Sequence, residues 1–195
     1  MQKDATTPSA REQEIVEKAY AYVLAHGLSD LSLRPLAAGI GSSPRVLLFL
    51  FGSKEGVIRR LLVRARQDEL ESLAGLEVSG DLPETVERVW TWLADPAHEP
   101  VLRLWAEAYG RSVSGDGPWG DFAATTVADW LDLLARAQPA AQRATPGAEA
   151  ARTLALAVLR GALLDLLATG DRPRADAAVA AFLVGIRPAP GGTRA

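Results

Sequence analysis

The stretch from Ser32 to Glu55, SLRPLAAGIGSSPRVLLFLFGSKE, limits what this chain can fold into more than any other part of it. Ser32 is placed to N-cap a helix running from Leu33 to about Ile40, with Pro35 in the first turn, where a missing N–H costs nothing. Gly39 and Gly41 break that helix, since one of them can take the positive φ that a sharp reversal needs. Ser43 then caps a second helix, Pro44 fits its first position, and Arg45 is presented early. Leu47, Leu50 and Phe51 fall on one face of it, Gly52 stops it, and Ser53 caps a third helix. The spacing predicts a helix-turn-helix. A short helix with an arginine near its N-terminus, braced from behind by apolar residues, suits the DNA major groove, and helix N-termini hold phosphates. The same pattern also serves plain helix packing, so spacing alone leaves both readings open.

Charge supports the first reading through its distribution. The formal net charge is -3, but residues 1 to 66 carry 10 Lys/Arg against 6 Asp/Glu, whereas the remaining 129 carry 11 against 18. A basic head on an acidic body fits a protein that meets nucleic acid with one end. Arg59, Arg60, Arg64 and Arg66 contribute to that excess and are equally compatible with a solvated helix face. With 195 residues, 48% hydrophobic and 23% charged, the chain can bury a substantial core. Ala, Leu, Arg and Glu dominate and β-type alternation is scarce, which predicts an all-α fold. There is no cysteine, hence no disulfide or thiolate metal site. No signal peptide is recognisable, and Arg160 and Asp165 interrupt the best apolar run, so the expectation is a cytoplasmic protein with no membrane span.

The remaining punctuation predicts about nine helices. Ser9 to Glu12 has capping-box spacing and opens the first, whose buried stripe is Ile15, Ala19, Tyr22 and Val23 and whose end is Gly27. The fourth runs from Ser53 to about Leu76, with Val57, Leu61, Leu62 and Ala65 towards the head and Leu70 to Leu76 entering the body. Asp81 to Glu84 opens a fifth helix ending near Ala94, and a sixth from about Glu99 to Val113 puts Leu102, Trp105, Ala106 and Tyr109 on one face. A seventh covers about Trp119 to Ala137, and the last two Glu149 to Ala168 and Arg174 to Gly185. Residues 1–56 are expected to form the head and 57–195 the body. His26 and His98 lie far apart and no phosphate loop or nucleophile triad can be assembled, so neither catalysis, cofactor nor metal is expected.

From about Arg11 to Leu62 the chain resembles the N-terminal domain of TetR-family (tetracycline-repressor-like) transcriptional regulators. The residues that carry the resemblance are Ile15, Ala19 and Gly27, Leu36-Ala37, Gly41-Ser42-Ser43, Leu47 and Phe51, and Gly52-Ser53-Lys54-Glu55. Arg45 to Phe51 resembles a variant recognition helix with an aromatic at Phe49; the tyrosine that usually contacts phosphate would fall at Leu48. Arg160 to Asp171 resembles the dimer-forming helix of some members.

The resemblance implies a homodimeric, ligand-responsive repressor of a near-palindromic double-stranded operator. Arg45 is then expected to contact bases, with Arg34 second, Ser32, Ser43 and Lys54 to hold phosphates, and Pro44, Val46 and Phe49 to meet thymine methyls or sugars. All five tryptophans lie in the middle third, and helices five to seven are expected to surround them. An apolar or aromatic small-molecule effector would there meet Trp90, Leu102, Trp105, Tyr109, Phe122 and Trp130, the bland alternative being a packed core. Leu156, Leu159, Gly161, Leu163, Leu166 and Phe182 are expected at a four-helix dimer interface. The rival reading is a helical small-molecule-binding or scaffold protein that has lost DNA binding.

Overall fold

The computed structural model describes residues 9–28, 30–75, 81–115, 117–141 and 143–186. The described residues form nine α-helices and two short 3-10 turns and no strand, as the composition predicts. The helices are α1 (Ala10–His26), α2 (Leu33–Gly39), α3 (Pro44–Phe51), α4 (Lys54–Gly75), α5 (Leu82–Leu93), α6 (Glu99–Ser114), α7 (Phe122–Arg136), α8 (Pro146–Thr169) and α9 (Arg172–Ile186).

Most boundaries sit where local chemistry puts them. The Ser9 hydroxyl accepts from the Glu12 amide at 3.1 Å to cap α1, Ser43 accepts from Val46 at 3.3 Å to cap α3, and Asp81 accepts from Glu84 at 3.0 Å to cap α5. Gly27 and Gly52 end α1 and α3 at φ of 79° and 78°, where a side chain would be strained. The last two helices start earlier than expected, α8 at Pro146 behind a Thr145 cap and α9 at Arg172. Trp119 lies in a 3-10 turn ahead of α7.

The described residues divide into two compact units, the first within Met1–Ser72 plus Pro100–Ala123, the second within Leu73–Glu99 plus Ala124–Ala195. This division differs from the expected boundary at residue 56, and the core of the first unit shows why. Ile15, Ala19, Tyr20 and Val23 of α1, Leu36 and Ala37 of α2, Leu47 of α3, and Val57, Ile58, Leu61, Leu62 and Ala65 of α4 share one cluster with Leu104 and Ala108 of α6, Trp119 and Phe122. At seven and eight residues, α2 and α3 are too short to persist alone. Their anchors Leu36, Ala37 and Leu47 are wholly buried, and each leucine gains about 1.5–3 kcal/mol from leaving water.

Several expected faces are corrected here. Tyr20, not Tyr22, completes the α1 stripe; Tyr22 is half-buried because its ring lies under α2, where a Cβ on Gly39 would come within 2.6 Å of it. In α6, Leu104 and Ala108 are buried while Trp105, Ala106 and Tyr109 are half-buried, so its core face is rotated from the predicted one. Leu70 remains 44% exposed rather than entering a body. Leu76 lies outside the described residues.

Polar contacts tie α1 to α4 within the same unit. The Tyr20 hydroxyl donates to Asp68 at 2.8 Å, the Arg64 guanidinium lies 4.7 Å over the Tyr20 ring, and Arg64 pairs with Glu17 at 2.7 Å. Burial and the Asp68 carboxylate push the Tyr20 phenol above its ordinary pKa, so it stays a neutral donor.

In the second unit α5, α8 and α9 pack on one another. The Trp90 indole N–H donates to Asp176 at 2.8 Å, and Arg172 of α9 donates to the Ala94 carbonyl. Leu156, Leu159 and Leu163 are wholly buried in this core, with Ala155 and Leu183. The connection before α8 is held by Arg143, which donates to the Gln138 and Arg136 carbonyls, and by Arg152, which donates to the Arg143 carbonyl at 2.7 Å.

Gly56 marks the tightest joint of the first unit, because a Cβ there would stand 1.9 Å from the Phe51 carbonyl oxygen. Gly56→Ala is therefore expected to destabilise the protein by about 1–3 kcal/mol, since the backbone itself must move. Gly110→Ala, inside α6 with open space around it, is expected to be stabilising by up to about 1 kcal/mol. Thermal melts of the two variants beside wild type check both signs.

Candidate nucleic-acid interface

The α2–α3 corner is built by three local devices. The Ser42 amide donates to the Ala37 carbonyl at 2.8 Å, Gly41 takes a φ of 66°, and Ser43 caps α3. Leu47 points inward with no exposed surface, while Leu50 and Phe51 pack partly buried against the same cluster. The opposite face of α3 then has to look outward. It carries Arg45, Leu48 and Phe49, positions three and four apart that share a helix face, with Leu48 44% and Phe49 86% exposed.

Of the residues expected at DNA, Ser32, Arg34, Ser43, Arg45, Phe49 and Lys54 are exposed, and Pro44 and Val46 are half-buried. Ser43 and Ser32 differ: the Ser43 hydroxyl is engaged in its cap, whereas Ser32 makes no cap bond. At the elbow into α4 the Ser53 hydroxyl accepts from Gly56 at 3.0 Å, and Lys54 stands exposed at the first position of that helix.

Electrostatics separates the basic residues into two groups. Arg60 pairs with Glu12 at 3.1 Å, Arg64 with Glu17 at 2.7 Å and Arg66 with Glu69 at 2.6 Å, and Arg11 and Lys18 both pair with Glu14. These cations are internally compensated. Arg34 and Arg45 of the helix-turn-helix form no ion pair among the described residues, and neither do Lys54 and Arg59 in the first turns of α4. An unpaired exposed guanidinium is the group that presents a fork of donors to phosphate or to a guanine edge.

Gly56 was not singled out in the sequence, although it sets the elbow between α3 and α4. A glycine one turn after the Gly52 stop was the only local sign of it.

The residues expected around an effector are divided between the two units. Leu102, Trp105, Tyr109 and Phe122 belong to the first unit, with Trp119; Trp90, Trp92 and Trp130 belong to the second. Trp119 and Phe122 are buried in the first core, and Trp90 and Trp130 are buried in the second unit. Trp105 and Tyr109 meet at 5.1 Å between ring centroids, and the Trp105 indole nitrogen is buried without a hydrogen-bond partner. Among the residues expected at a dimer interface, Leu156, Leu159 and Leu163 are spent on the chain's own core, Leu166 and Phe182 are half-buried, and Gly161 is exposed. Leu156, Leu159 and Leu163 have no side-chain surface left for a second copy, so the expectation is corrected at these three positions.

Among the described residues no helix is long and apolar enough to cross a membrane, and no group of three metal-ligating side chains is assembled.

Neither a protein-family model nor a curated protein matches the chain. Solved structures do. A transcriptional regulator from Rhodococcus sp. Rha1 aligns with a TM-score of 0.71 at 20% identity, over 91% of this chain and 98% of that one. A TetR transcription regulator from Haloarcula marismortui aligns with a TM-score of 0.68 at 15% identity, over 87% and 92%. The multidrug binding protein EbrR, complexed with imidazole, aligns with a TM-score of 0.66 at 20% identity, over 98% and 99%. Coverage of 87% or more of this chain and 92% or more of each solved structure gives this chain the all-helical fold of TetR-family transcriptional regulators.

Proposed function

We propose that the protein is a ligand-responsive transcriptional repressor that binds a near-palindromic operator as a homodimer, inserting α3 into the major groove of each half-site. The observation that carries this reading is the outward face of α3, with an uncompensated Arg45 beside exposed Leu48 and Phe49. Arg45 reads a base edge, Arg34 reaches the flanking backbone or base, and Ser32, Ser43 and Lys54 approach phosphates. Phe49, with Pro44 and Val46, supplies apolar contact to thymine methyls or sugars. Leu48 cannot donate to phosphate, so that share of backbone anchoring falls to Lys54 and the serines.

Dimerisation is supported by a stripe different from the one expected in the sequence. Ala150, Leu154, Ala157, Gly161, Leu164 and Ala168 are all exposed on α8 and recur at spacings of four and three. That is the seam two helices need to pack closely, with Gly161 allowing close approach. On α9, Pro173, Ala177, Ala180 and Val184 repeat the spacing and are also exposed. Two heads so joined would read half-sites one helical turn, about 34 Å, or a multiple of it apart.

Effector binding is supported by Trp105, whose buried N–H awaits an acceptor beside Tyr109 on α6. A ligand there releases DNA only by favouring the state that does not bind it, with a coupling of about 1–3 kcal/mol typical. The rival reading, a scaffold protein without DNA binding, is favoured by the same Phe49 and Leu48, since an exposed apolar pair also suits a protein partner.

Selection of bound fragments from random genomic DNA, followed by titration, tests the proposal. Arg45→Ala is expected to cost about 1–3 kcal/mol and relax one operator position, whereas Lys54→Ala should weaken all sequences alike and lower the salt slope by about 1. Retrieval of no fragment at low salt would favour the scaffold. In sedimentation, wild type is expected as a dimer, and Leu164→Glu should raise the dimer dissociation constant about 100-fold or more, a carboxylate buried in the seam costing roughly 3 kcal/mol. A monomer at tens of micromolar wild type would refute the α8 seam. Any apolar compound that releases the operator fragment is expected to change tryptophan emission, and to lose that signal in Trp105→Phe; release with unchanged emission would move the effector site elsewhere.

A further inference from the structure

Within the first unit, a cavity of about 350 Å³ opens where the end of α1, the turn into α2 and the middle of α6 meet. The volume is in the range of small-molecule sites. Tyr22 and His26 form one wall as a stacked pair, 4.1 Å between centroids and 14° between planes. Leu31 supplies apolar surface, and Asp30, Ser32 and Glu107 supply oxygens. Apart from His26, no basic side chain among the described residues lines it, and His26 is turned to the Tyr22 carbonyl, its Nδ1 at 2.8 Å.

Glu107 is the unusual member. Its Oε2 accepts from the Leu28 amide at 2.9 Å, while Oε1 is shut from solvent with no hydrogen-bond partner. A buried acceptor left unmatched costs about 1–3 kcal/mol, more when charged, and calls for a donor. No neighbouring side chain among the described residues fills that role. The Ser32 hydroxyl, free of any cap bond, is a second polar group at the same wall.

We propose that this cavity is a binding site for a small organic cation with a planar body, of the amidinium or arylammonium class. Its N–H groups donate to Glu107 Oε1 after a small rotation of the carboxylate, and to Ser32 Oγ. Its plane lies along the Tyr22–His26 pair, and Asp30 at the rim adds long-range attraction. Two carboxylates in a cavity whose one basic lining residue among those described is His26 select positive charge, and the aromatic wall selects a flat body. The site involves neither α3 nor Trp105 and shares only Ser32 with the proposed DNA contacts, so substitution at Glu107 tests it apart from DNA binding.

Benzamidinium and its neutral isostere benzamide are the probes, titrated against the full-length protein by ligand-observed NMR. Benzamidinium is expected to bind at least about 10-fold tighter than benzamide, a difference near 1.4 kcal/mol. Glu107→Gln keeps an acceptor for Leu28 and removes the charge, and is expected to abolish the preference; its thermal melt verifies folding. Asp30→Asn, at an exposed position, is expected to reduce the preference about 2- to 3-fold and to blunt its salt dependence. If Glu107→Gln does not fold, the Asp30→Asn and salt results decide. Equal binding of the two probes to wild type, or a preference that survives the substitutions and added salt, overturns the proposal.

Discussion

The burial of Leu47 is the interaction on which the outward face of this protein depends. An eight-residue helix has too few internal hydrogen bonds to hold itself, and one wholly buried leucine, flanked by Leu50 and Phe51, fixes both its existence and its rotation. Rotation matters most. With Leu47 pinned inward, Arg45, Leu48 and Phe49 must point to solvent together, whatever they meet there. The second half of the constraint is the elbow at Gly56, where the α4 backbone approaches the Phe51 carbonyl more closely than any side chain permits. Anchor and elbow together make a short helix a rigid part of the α4 framework.

The arrangement of charge follows from the same packing. Because α4 lies along α1, the acidic residues Glu12 and Glu17 come within reach of Arg60 and Arg64, and the paired cations form an internal seam. Such partly exposed pairs add about 0–1 kcal/mol each to stability. Their larger consequence is to leave Arg34 and Arg45 as the uncompensated groups of the helix-turn-helix.

The second unit shows an apolar helix divided between two uses. One side of α8 contributes Leu156, Leu159 and Leu163 to the chain's own core, and the opposite side keeps Leu154, Gly161 and Leu164 exposed. Leucine content alone cannot distinguish these sides, since both are apolar, and the expectation from sequence accordingly assigned to an interface three leucines that the core buries. The partition is decided by where α5 and α9 lie. The same holds for the tryptophans, which cluster along the chain but distribute between two units.

What the sequence determined by itself is the set of local devices: the serine and aspartate caps, the glycine stops, the proline starts, the all-helical class and the inward Leu47 face. Each of these depends on residues no more than a turn or two apart, so reading along the chain suffices. What only the tertiary structure decided involves partners distant in sequence, such as Arg64 with Glu17, 47 residues away, and the Leu28 amide with Glu107, 79 residues away. Which arginines stay uncompensated, which leucines remain outside, and where a carboxylate is stranded beside a cavity are settled by helix packing. No periodicity encodes them, because hydrogen bonds and ion pairs are formed by proximity in space.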